Sequence, residues 1–143
     1  VIYVDSCALV KLVREEAESP ALRSWFDERA EVPVFTSEIA RAELTRVVRR
    51  VHHTDQGRLI DEVELADDLA EAEDLLSGVR KIDINKALLV KAGALTQPMV
   101  RTLDAIHLVS AFELAHPDLE FVTYDRRLAE AARTAGLRVA TPR

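Results

Sequence analysis

Cysteine is almost missing from this chain of 143 residues: Cys7 stands alone, so no internal disulfide forms. Glycine and proline are scarce, at four and five residues, and no Gly/Ser-rich linker, internal repeat or low-complexity segment divides the chain. No uninterrupted apolar run approaches the length that crosses a bilayer. An acid among the first residues, with no basic flank before them, is unlike a signal peptide. A soluble, cytoplasmic protein is expected. Basic residues are also outnumbered: the net charge is −6, which excludes holding nucleic acid through bulk positive potential alone. A polyanionic substrate would need cations or local basic patches. Finally, there is no G-x-x-x-x-G-K-[ST] phosphate loop and no cluster of His and Cys of the kind that binds zinc.

The length fits one domain over residues 1–143, with enough apolar residues for one substantial core. Strand-forming runs occur at "VIYV" (1–4), "VPVF" (32–35) and "EFVTY" (120–124), with weaker ones at "RKIDI" and "LRVA". Between them, apolar residues recur at helical spacing. "SCALVKLVREE" reads as a helix capped by Ser6, and "SEIARAELTRVVRRV" as one capped by Ser37. Further helices are expected from about Gly57 to Leu76, over "LDAIHLVSAFELA" after a Thr102 cap, and over "RRLAEAARTAG" up to Gly136. Strands alternating with helices imply an α/β fold, a parallel sheet with helices on both faces. The region 38–76 exceeds one crossover and suggests a protruding helical pair.

In such a sheet ligands bind beyond the carboxyl ends of the strands. "VIYVD" and "FVTYD" put Asp5 and Asp125 there. Glu43 borders the apolar stripe of its helix, and Asp104 opens a helix with so few polar residues that it should be central. Each acid also has a plainer reading. Asp5, Asp104 and Asp125 suit helix first turns, and Glu43 has Arg46 and Arg50 at ion-pair spacing. Four carboxylates in one cleft would repel by about 4 kcal/mol per adjacent pair, at an effective dielectric of ~20 and ~4 Å. A cation makes the cluster tolerable, and an all-oxygen set points to Mg²⁺ or Mn²⁺. Such ions suit phosphodiester hydrolysis.

Ser6 and Thr123 flank two of the acids and are candidate supporting groups. Cys7 stands where an aspartyl phosphatase would carry its second Asp, and Cys7 and Leu9 break a D-x-S-x-S pattern. Cys7 reads as packing, and His107 as a packed, hydrogen-bonded residue. His52, His53 and His116 read as surface residues. Basic clusters at 46–53, at Lys11 with Arg14, and at 125–128 could guide a nucleic-acid backbone. The acidic series from Glu62 to Asp74 reads as a solvated face.

Taken in order, "VIYVDSCALVKLV", "TSEIARAEL", "RTLDAIHLVSA" and "FVTYDRRLAEAARTAGL" resemble the PIN-domain ribonucleases, most closely the VapC toxins of bacterial toxin–antitoxin modules. The resemblance spans nearly the whole chain. It puts the family's acidic quartet on Asp5, Glu43, Asp104 and Asp125, with polar helpers on Ser6 and Thr123. Cys7 departs from the Ser such proteins often carry. The resemblance implies a Mg²⁺- or Mn²⁺-dependent endoribonuclease acting on structured RNA such as tRNA or rRNA. It also implies a homodimer and an antitoxin partner. Asp5, Asp104 and Asp125 would ligate the ion, Glu43 would ligate it or hold the attacking water, and the products would carry 5′-phosphate and 3′-hydroxyl ends. The alternative is a catalytically silent RNA- or protein-binding relative, whose mark would be a missing acid; none is missing.

Overall fold

The computed structural model describes residues 1–143. Five short strands form one sheet: β1 (Ile2–Val4), β2 (Val34–Ser37), β3 (Arg80–Ile82), β4 (Glu120–Val122) and β5 (Arg138–Ala140). Their order is β3-β2-β1-β4-β5, and every pairing is parallel. The helices are α1 (Ser6–Val13), α2 (Ser19–Asp27), α3 (Ile39–Val51), α4 (Glu62–Gly78), α5 (Lys86–Gly93), α6 (Thr102–Glu113) and α7 (Arg126–Thr134).

Side-chain alternation along β1 divides the core. Ile2 and Val4 join Leu9, Leu22, Leu44, Leu65 and Leu76 on the face covered by α1 to α4. Tyr3 points the other way, among Leu108, Phe121 and Leu128, and its ring stacks on Phe121 at 5.2 Å. Burial on both faces explains why the strands read as continuous apolar runs rather than as alternating patterns. The chain builds outward from β1 to β2 and β3, then returns to β4 and β5 on the other side. The crevice between β1 and β4 is therefore the topological switch point, where a ligand is expected.

Both weaker strand candidates form, as the two edges of the sheet. β2 starts one residue after Pro33, whose carbonyl accepts the Ile2 N–H. The expected helical pair is α3 with α4, joined by a loop in which Gly57 takes φ +79°, a conformation suited to glycine. The second helix of the pair begins later than expected, at Glu62, because Asp61 caps it by accepting from Val63 and Glu64 N–H. Two helices, α2 and α5, go unforeseen from sequence. Each is short, eight or nine residues, and offers only a narrow apolar stripe, Leu22 in one and Leu88 with Ala92 in the other.

Candidate active site

The switch-point crevice is built from the residues that end β1 and β4. Asp5 follows β1, and its backbone N–H still bonds the Val122 carbonyl of β4 at 3.2 Å. One carboxylate oxygen, Oδ1, accepts from Ala8 N at 2.9 Å and so caps α1. The other, Oδ2, accepts from Thr123 Oγ1 at 2.5 Å. Cys7 Sγ reaches both oxygens at 3.0 Å, while accepting from Tyr124 N at 3.2 Å. Asp5 is 2 % exposed. Burial pushes its carboxyl above the ordinary range, against the opposing influence of His107, Thr123, Cys7 and the Ala8 N–H. Burial, then the Asp5 charge, pushes the Cys7 thiol up to about 12, so Cys7 serves as an S–H donor and not as a thiolate.

A second chain of hydrogen bonds fixes Glu43 on α3. Ser6 Oγ donates to Oε2 at 2.9 Å, and His107 Nε2 lies 2.7 Å from Oε1. His107 is buried in α6, and its Nδ1 meets the Tyr3 hydroxyl at 2.8 Å. With Tyr3 donating to Nδ1, the Nε2–H is left to donate to the carboxylate. The line Tyr3–His107–Glu43–Ser6 thus runs from the core to the cleft.

Asp104 lies one helical turn before His107, in the first turn of α6. It is half-buried, and its carboxyl is raised by burial first and then by the Asp125 charge. His107 opposes the shift, and the charges of Asp5 and Glu43 add to it. Asp125 follows β4, caps α7 through Oδ1 to Leu128 N at 2.8 Å, and donates its own N–H to Thr123 Oγ1 at 3.1 Å. Asp125, Asp5 and Glu43 all lie within electrostatic reach of Asp104, and Glu43 and Asp125 border an open groove of about 440 Å³ that also holds Ser6, Lys11 and Tyr124.

No three His, Cys, Asp or Glu side chains close into a tight cage. The donors are nevertheless all carboxylates, and the burial-raised Asp5 and Asp104 are groups whose ionised form a nearby cation would favour. Mg²⁺ ordinarily takes one or two protein carboxylates and completes its shell with water and phosphate, so the residues present suit that ion without a preformed cage.

The PIN domain family pattern spans residues 2–134. The chain belongs to the PIN-domain family. This PIN domain is 36% identical over 143 residues to Ribonuclease VapC35 of Mycobacterium tuberculosis, covering 99% of this chain and 96% of that protein. A chain in the crystal structure of VapBC2 from Rickettsia felis, bound to a DNA fragment from their promoter, matches with a TM-score of 0.71 at 14% identity, covering both chains fully. Mycobacterium tuberculosis VapC20, described as a sarcin-ricin loop cleaving toxin, matches with a TM-score of 0.68 at 17% identity over 99% of this chain and 100% of that one. The full-length likeness to VapC35 places this PIN domain in the VapC branch of the family.

Several side chains in the PIN domain differ from their sequence expectations. Asp5, not Ser6, caps α1, because the Ser6 hydroxyl is turned to Glu43. Ser37 is the last residue of β2, and its hydroxyl is 3.4 Å from Ile39 N. Thr102 is the first residue of α6, after Arg101 in the cap position. Glu43 pairs with Ser6 and His107 and not with Arg46 or Arg50. His52 is buried rather than superficial, with Nε2 2.6 Å from Asp68, so Asp68 belongs to the α3–α4 contact and not wholly to a solvated face. Cys7 does more than pack. The missed partner of the site is Tyr3; its signal was a hydroxyl placed mid-strand in an otherwise aliphatic run, where burial demands a hydrogen bond.

Proposed function

We propose that this PIN domain is a Mg²⁺- or Mn²⁺-dependent endoribonuclease of the toxin type. The observation that carries the reading is the gathering of Asp5, Glu43, Asp104 and Asp125, from four separate segments, at the switch point of the sheet. The name of the VapC35 relative supports ribonuclease activity, and the description of VapC20 supports structured RNA, such as rRNA or tRNA, as substrate.

Asp5, Asp104 and Asp125 would hold the ion, with Glu43 as a further ligand or as the group that orients the attacking water. When bound, the ion activates water and neutralises charge on a phosphoryl oxygen. Everything else is the work of the chain. Thr123 and the Ala8 N–H fix both Asp5 oxygens, so the carboxylate cannot rotate away. Ser6 and His107 hold Glu43 in one rotamer facing the cleft, where it accepts a proton from water aimed at phosphorus. Cleavage leaves a 5′-phosphate and a 3′-hydroxyl.

An antitoxin partner, a homodimer and a cytoplasmic setting complete the reading. The VapBC2 likeness supports the first. For the second, Leu89 and Val90 on α5, Leu103 on α6 and Met99 between them are exposed apolar side chains, of the kind a second copy covers. No helix is long and apolar enough to cross a membrane.

The test is incubation of the purified chain with structured RNA in Mg²⁺, in chelator, and as Asp5→Asn, followed by sequencing of the product ends. Cleavage confined to wild type with Mg²⁺, with 5′-phosphate ends, is expected. Equal cleavage in all three tubes overturns the reading.

A further inference from the structure

Beside the carboxylate cleft lies a second groove, about 710 Å³, between α7 and residues 141–143. Four arginines line it: Arg126, Arg127, Arg133 and Arg143. Their density is unexpected in a chain of net charge −6. Some arginines elsewhere on the surface find carboxylates, as Arg23 does with Glu15, Arg41 with Glu73 and Arg138 with Asp118, while others, such as Arg46 and Arg58, stand alone. The four groove arginines enter no ion pair. Glu130 sits in the same groove, four residues after Arg126 at ion-pair spacing, and yet leaves that guanidinium free.

The two grooves are continuous, because Tyr124 and Asp125 line both. The shared wall is rigid. Tyr124 donates its hydroxyl to the Pro142 carbonyl at 2.8 Å, and Thr141 donates to the Thr123 carbonyl at 2.9 Å, so the floor of the second groove is tied to the end of β4. The one cation lining the acidic groove, Lys11, is already held by Glu16 at 2.5 Å and Glu18 at 2.8 Å. Among the residues lining the two grooves, the unpaired cations therefore all lie on the α7 side.

We propose that the α7 groove is the track for the RNA backbone leading from the cleavage point, with Arg126, Arg127 and Arg133 each holding a phosphate of single-stranded RNA. This assignment rests on the reading of the neighbouring cleft as an RNA-cleaving site. Guanidinium forks match phosphate oxygens, and free guanidiniums at helical spacing follow a strand without reading its bases. The strand thus enters the acidic cleft from the α7 side, and sequence preference arises elsewhere.

The test is anisotropy of a labelled single-stranded RNA in EDTA across a salt series, using wild type, R126Q/R127Q/R133Q, and the charge-matched R23Q/R58Q/R138Q. Thermal melts establish that both triple variants are folded. The α7 triple variant is expected to flatten the slope of log affinity against log salt by about two, at ~0.7 per phosphate on a single strand, while the matched variant keeps the wild-type slope. Equal slopes for the two triple variants overturn the track. So does an α7 triple variant that binds RNA like wild type but loses binding to a poly-glutamate peptide. Mg²⁺ cleavage by wild type, measured in parallel, separates the two readings. A wild type that shows the α7-dependent slope and never cleaves keeps the track and removes the nuclease. A wild type that cleaves, with an unaltered α7 variant, removes the track alone.

Discussion

His107 Nε2 lies 2.7 Å from Glu43 Oε1, joining a buried core residue to an acid at the mouth of the cleft. Sixty-four positions separate the two in sequence, and only the packing of α6 against the β2–α3 junction brings them together. Substituting His107→Phe keeps an aromatic ring but deprives both Glu43 Oε1 and the Tyr3 hydroxyl of their imidazole partner. A loss of about 2 kcal/mol in urea denaturation is expected, in the range for orphaned buried polar groups. RNA cleavage should fall with it, and further than in Tyr3→Phe, which leaves the Glu43 contact in place.

Thr123 is fully buried, and its hydroxyl donates to Asp5 while accepting from Asp125 N. Thr123→Val keeps the shape and removes both bonds, so it should cost about 1–3 kcal/mol. Thr123→Ser, which restores the hydroxyl, should recover cleavage even where the lost methyl lowers stability. Recovery of stability without cleavage would show that the hydroxyl does not position Asp5.

Acid should stabilise the metal-free protein locally. Asp5 and Asp104 both have carboxyls raised by burial, so their native forms hold protons that the unfolded chain has released. Their contribution to stability is fully present below the ordinary carboxylate value and is lost as pH rises through the raised value. Asp5→Asn should therefore melt higher than wild type at neutral pH without divalent ions, with the gap closing in acid. A lower melting point for Asp5→Asn at neutral pH would contradict the burial argument. For the same reason, affinity for Mn²⁺ should rise with pH across this window, since ions and protons compete for these oxygens.

His52 Nε2, 2.6 Å from Asp68, ties the C-terminal end of α3 to α4. His52→Ala should lower stability by about 1–2 kcal/mol, as a hydrogen bond to a charged group is lost. Turnover per folded molecule should stay at the wild-type level. A selective loss of turnover would show that the His52–Asp68 contact also positions Glu43 on α3.

How much of this was legible in the chain follows from the physics of each signal. β1 and β4 stand out because burial on both faces demands continuous apolar residues, and the acids that end them stand out against that background. Topology then puts Asp5 and Asp125 on one edge. Asp104 is marked as the one charged residue of α6 before Glu113 at its end. The partners of these acids were less legible, because Ser6, Thr123 and Tyr3 are ordinary residues whose hydroxyls matter only through contacts across 37, 118 and 104 positions. Short α2 and α5 stayed hidden because one or two buried side chains give too little periodicity to read.

The central claim is that Asp5, Glu43, Asp104 and Asp125 share one divalent cation. Calorimetric titration of Mn²⁺ into wild type and the variants Asp5→Asn, Glu43→Gln, Asp104→Asn and Asp125→Asn tests it most directly. The account predicts saturable binding by wild type and a loss of affinity of about tenfold or more in each variant, the scale set by disturbing a metal's surroundings. Wild-type affinity in all four variants, or no binding by folded wild type, would contradict it.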